Sequence, residues 1–195
     1  MPAKKFEISS NGALVFACIF ESALLLIAFF AGWLSNLNPF ASAAFSWSST
    51  LAGLAALLPM LALLFWGMKN RDGPVGQVTE QAADFVQQFL GGVGLPGFAV
   101  ISLLAGICEE ALFRGVLQVF VASHSSELIG LLIASIIFGL AHAVSVAYGV
   151  IATLIGIYLG GLFLLTENLM APVICHAVYD FIALLWLSKS RANQK

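Results

Sequence analysis

Apolar residues run in long stretches along the chain, near 13–34, 51–68, 98–121, 128–147, 149–166 and 172–188, and the segments between them hold most of the charges, glycines and prolines. None of the stretches alternates as a barrel strand would, and in hydrocarbon the backbone polar groups must be satisfied within each segment or by a closed barrel. Each stretch is therefore expected to be a helix. Because a helix crosses a bilayer with ~20 apolar residues, the pattern predicts an all-α, polytopic integral membrane bundle of about six transmembrane helices. A further element has a different pattern. Ala82, Phe85, Val86, Phe89 and Leu90 recur at helical spacing with Glu80, Gln81, Asp84, Gln87 and Gln88 opposite, which predicts an amphipathic helix over 79–90 lying in the membrane interface. The glycine-rich run from Gly91 to Gly97 reads as a flexible connector to the third span. Gly156 and Gly160 form a G-x-x-x-G pattern, read as close helix packing.

Composition narrows the class. Of 195 residues, 61% are hydrophobic and 9% charged, and mean hydropathy is +1.00, against about half and about a quarter in an average soluble domain. A soluble globular protein is excluded, and six spans leave no room for a second domain of ordinary size, so 1–195 reads as a single membrane domain. The net charge of −2, without a run of like charges, excludes a nucleic-acid partner. Cys18, Cys108 and Cys175 each lie inside apolar runs and read as packing residues. The stretch from Ala13 to Leu34 is too long for a signal-peptide core and is expected to be a retained span. Lys4 and Lys5, Lys69 and Arg71, and Lys189, Arg191 and Lys195 flank the spans in a pattern that places both termini in the cytoplasm; the expected location is a bacterial-type inner membrane.

Within the spans the ionisable residues are few, and a charge at bilayer depth costs roughly 2.5–3.5 kcal/mol even on the lenient scale. Glu109, Glu110 and Arg114 lie in the third span, His142 in the fourth, and His176 and Asp180 in the sixth. Glu110 and Arg114 are four apart and share a helix face, while Glu109 points ~100° away. One carboxylate is thus paired and one is free. His176 and Asp180 are also four apart, so Asp180 is placed to orient the imidazole or to join it around a common ligand. Phe138 shares the face of His142. A carboxylate and two imidazoles in one cavity suit hydrolysis, since the carboxylate takes a proton from water while the imidazoles stabilise an oxyanion or hold a metal. Glu21 in the first span has no partner spaced along its own helix and reads as a satisfied or snorkelling residue.

Together, Glu109-Glu110 with Arg114, Phe138 with His142, and His176 with Asp180 resemble, in order and spacing, the CAAX protease and bacteriocin-processing family of intramembrane proteases, also called the abortive-infection family. The resemblance covers about 98–188, which is the expected catalytic core. It implies a glutamate-dependent intramembrane endopeptidase of metalloprotease type acting on membrane-embedded or lipidated (CAAX-like) peptides. Glu109 would activate water, His142 would donate a proton or ligate a metal, Glu110 and Arg114 would brace the site, and His176 with Asp180 would complete it. If a metal is used, one zinc ion held by Glu109, His142, His176 and Asp180 is expected, because the third motif ends in Asp180, which in its ionised form has no hydrogen to donate to an oxyanion.

Two alternatives stand beside this one: a non-catalytic immunity or scaffold protein of the same family, and a proton-coupled transporter with Glu109, His142 and His176 as relay. The straight spans drawn above also pose a geometric problem. Counted at ~1.5 Å per residue from the cytoplasmic ends, Glu109 and His176 lie ~16–18 Å deep and His142 only ~6–9 Å. A later end to the fourth span, a tilt, or a break near Gly139 or Gly149 would reconcile them.

Overall fold

The computed structural model describes residues 9–192, so Lys4, Lys5 and Lys195 of the orientation argument lie outside the described residues. The described chain is helical: α1 (Ser10–Ser35), α2 (Trp47–Lys69), α3 (Pro74–Phe85), α4 (Leu95–Glu110), α5 (Val119–His124), α6 (Glu127–Ala141), α7 (Val146–Thr166) and α8 (Met170–Ala192). Two π-helical segments, Val86–Leu90 and Ala111–Gln118, extend α3 and join α4 to α5. The second makes Leu95–His124 one continuous 30-residue helix.

Local chemistry sets the boundaries. Side chains of Ser9, Ser46, Ser126 and Ser145 accept the backbone N–H three residues on and so cap α1, α2, α6 and α7. Gly73-Pro74 and the proline of Leu95-Pro96 open α3 and α4, where a missing N–H costs nothing. Asn36 and Glu167 end α1 and α7 in the left-handed region, with φ of 56° and 50°.

Among the described residues, five helices are long and apolar enough to cross a membrane, and α6, with 15 residues, is a shorter apolar helix. The expected fourth span, 128–147, is corrected accordingly: α6 stops at Ala141, His142 caps it, and Ser145 already caps α7 by accepting from Tyr148 N at 3.2 Å. The amphipathic element begins at Pro74, earlier than expected, and its apolar face is rotated. Val78, Ala83, Val86 and Leu90 are buried, while Phe85 and Phe89 are exposed and pack on each other with ring centroids 4.8 Å apart.

Burial is inverted relative to a soluble protein. Phe16, Trp33, Leu58 and Leu165 face outward, while Glu109, Glu110, Arg114, Gln118, Ser102 and Ser135 are buried between helices. Lipid is the solvent for such a surface, so large apolar side chains go out and polar groups must find partners within. At one end of the bundle the loop 36–46 is tied to the α7–α8 turn through Asn168, whose Nδ2 donates to Ala44 O at 2.7 Å. At the other end Ser145 Oγ donates to Gln81 Oε1 at 2.8 Å and ties α3 to the turn that carries His142.

Candidate active site

The six residues singled out by spacing come from three elements that glycines bring close. A Cβ on Gly106 would lie 2.8 Å from Ala177 Cβ and 3.0 Å from Val173 O, so α4 and α8 approach at backbone distance. That approach delivers His176 to Glu110: His176 Nδ1 donates to Glu110 Oε1 at 2.7 Å, and Arg114 Nη1 donates to the same oxygen at 2.8 Å. Arg114 Nη2 reaches on to Gly156 O at 2.9 Å, and its guanidinium sits 4.7 Å from the centroid of Phe138. Gly156 and Gly160 do pack closely, since a Cβ on Gly156 would lie 3.1 Å from Ser135. Their carbonyls also accept from Arg114 and Gln118, at 2.9 and 3.2 Å.

Glu109 lies on the neighbouring face, as its spacing requires. Its Oε2 is 3.5 Å from His142 Nε2 and 4.0 Å from His176 Nε2, and it is buried without a hydrogen-bond partner. His142 Nδ1 donates to Phe138 O at 2.8 Å, and its ring stacks on Phe138 with centroids 4.3 Å apart, so Nε2 is turned towards Glu109. Nε2 of His176 also faces Asp180 Oδ2 at 3.5 Å. The orienting partner of the His176 ring is thus Glu110 on another helix, with Asp180 on the opposite nitrogen. Spacing along one helix had pointed to Asp180 alone.

The depth problem disappears when levels are counted from the turn that α5 and α6 share. Glu109 is 15 residues before His124, and His142 is 15 residues after Glu127. Two antiparallel helices leaving one short turn bring those positions level, ~22 Å from it. The distance from that turn is what places His142 opposite Glu109, and α6 ends just before it, earlier than expected.

Glu109, Phe138, His142, His176 and Asp180 line a cavity of about 300 Å³ whose remaining wall is mostly apolar, including Met60, Leu64, Val78, Ile155 and Leu187. Two features were missed at the sequence level. Glu21 is neither satisfied nor snorkelling: it is 7% exposed, its Oε2 has no hydrogen-bond partner, and it lines this same cavity because α1 packs on α4 and the π segment. Its standing as the one ionisable residue of an otherwise apolar span was the available signal. Tyr148 and Tyr179 also line the cavity, and nothing in their spacing marked them.

The donor set expected for zinc, Glu109, His142, His176 and Asp180, lines this cavity. Among the described residues no three His, Cys, Asp or Glu side chains are grouped to hold a metal ion. Cys108 and Cys175 are buried, and the Cys175 thiol contacts Met60 Sδ at 3.5 Å, in keeping with a packing role.

Fold and site together define an integral membrane helical bundle with a carboxylate–imidazole centre enclosed between its helices. Residues 90–182 match the family model described as Type II CAAX prenyl endopeptidase Rce1-like. The matched segment is just under half of the chain and supplies all six residues. No curated protein and no solved structure matches the chain.

Proposed function

We propose that the protein is an intramembrane endopeptidase that hydrolyses membrane-embedded or lipidated, CAAX-like peptides with water activated by Glu109. The observation that carries this reading is the position of Glu109 Oε2: buried, without a hydrogen-bond partner, and facing Nε2 of both His142 and His176 across 3.5 and 4.0 Å. A water beside this oxygen gives its proton to Glu109 while its oxygen attacks the scissile carbonyl. N–H groups on His142 and His176 stabilise the oxyanion, which is worth several kcal/mol in a dry site. Glu109 then returns the proton to the leaving nitrogen as the C–N bond breaks, giving a free amine and a carboxylate.

Glu110, held by Arg114, fixes the His176 ring and acts by positioning. Asp180 braces the other side of that ring. The apolar wall of the cavity suits a lipid chain or a hydrophobic peptide, and the exposed apolar flanks of the bundle suit lateral entry from the bilayer. Lys69, Arg71 and Lys189 gather at the bundle end where α3 lies, which supports a cytoplasmic placement of that end.

The test is a panel of membrane peptides, with and without a prenylated cysteine, incubated with purified protein in lipid nanodiscs and read by product mass. Cleavage at one internal bond, with one water added across it, is the expected result. A folded protein that binds peptides of the panel and cuts none of them would favour the scaffold or immunity role.

A further inference from the structure

The mechanism leaves Glu21 without a task. It comes from α1, outside the matched segment 90–182, yet it reaches the same cavity as Glu109, His142, His176 and Asp180 and lies within electrostatic reach of all four. Among the described residues, four carboxyls therefore surround this centre (Glu21, Glu109, Glu110, Asp180), against three side chains able to carry positive charge (Arg114, His142, His176). Arg114 is committed to Glu110 and the Gly156 carbonyl, and the two imidazoles face Glu109, Glu110 and Asp180. The surplus carboxyl is Glu21, and among the described residues no lysine or arginine lines the cavity to answer it. A carboxyl buried without a partner is costly to keep. A ligand with an apolar stem and a positive head would complete the site, its stem on such side chains as Met60 and Leu64 and its head at Glu21.

We propose that Glu21 is a specificity-determining residue that receives the positively charged end of a basic side chain on the peptide substrate. The substrate's being a peptide rests on the endopeptidase reading; the cation subsite does not.

The experiment measures binding of n-octylammonium and n-octanol to the full-length protein in one detergent by competition-based NMR. The wild type is expected to favour the amine by roughly tenfold or more, the range of a charge-assisted hydrogen bond. Glu21→Gln is expected to bring the two ligands within about twofold, and Glu21→Asp to keep part of the preference. Equal binding of both ligands by the wild type overturns the proposal, and so does an undiminished preference in Glu21→Gln. If Glu21→Gln fails to fold, the wild-type comparison alone decides.

A second arm compares kcat/KM for peptides with lysine or norleucine scanned around the cleaved bond. At one position the lysine-to-norleucine ratio is expected to exceed about tenfold in the wild type and to collapse in Glu21→Gln. A ratio near one at every position overturns the subsite and leaves proteolysis standing. An amine preference that depends on Glu21, in a protein that cuts no peptide, refutes proteolysis and leaves the subsite standing.

Discussion

At Glu110 two donors from different helices meet one carboxylate oxygen, Arg114 at 2.8 Å and His176 at 2.7 Å, with both members of the Glu110–Arg114 pair at most 1% exposed. Breaking a buried pair by removing one partner costs about 3–5 kcal/mol, because the other charge is stranded. Arg114→Met is therefore expected to lower stability by about that much, and the double variant Glu110→Gln/Arg114→Met by less than the sum of the singles, as read by denaturant unfolding in detergent. Strictly additive losses would mean that the two residues do not act as a unit. These residues were legible in the sequence because each is an ionisable group inside an apolar run, where charge is expensive. Glu21 carried the same signal and was set aside because its neighbours lie on other helices, and spacing along one helix does not show contacts between helices. The Glu110–His176 bond was hidden for the same reason.

Among the elements, glycine decides how near the site's helices come. A Cβ at Gly106 would meet Ala177 and the Val173 carbonyl, whereas at Gly161 it would meet nothing within 4 Å. Gly106→Ala is expected to cost about 1–3 kcal/mol by overpacking and to reduce cleavage, since it forces α4 from α8 and pulls His176 from Glu110. Gly161→Ala is expected to leave both unchanged, and parallel activity and melting curves on the two variants check the contrast. Ser145 links three elements: it caps α7, and its hydroxyl donates to Gln81 on α3 beside the turn that holds His142. Ser145→Ala is expected to destabilise by about 1 kcal/mol, the usual value of such a cap, measured as a lowered unfolding midpoint. That cap was readable in Ser145, but 142–145 is apolar enough to pass for continuing helix. The expected fourth span therefore ran on to residue 147 and put His142 at the wrong depth. The helices themselves were legible from hydrophobic run length. The rotation of the amphipathic face was not, because a π segment changes the period that the pattern assumes.

On the scale of the whole molecule, the bundle keeps its polar chemistry inside and shows lipid its large apolar side chains, so the proposed hydrolysis would take place in a cavity enclosed by the helices. The mechanism proposed above uses only the side chains described here, so on that reading cleavage is expected to persist in buffer containing a zinc chelator, as followed by product formation over time. Loss of activity on chelation with recovery on adding zinc would show that the donors around Glu109 rearrange to hold an ion. The central claim is that Glu109 is the group that activates water. Its most direct test is the cleavage rate of Glu109→Gln beside wild type, on the best-cut membrane peptide, with both proteins shown to unfold at matching temperatures. The amide keeps the shape and removes the base, so the rate is expected to fall by at least about 10²-fold, the lower bound for loss of a general base. Cleavage by Glu109→Gln at the wild-type rate would contradict the account.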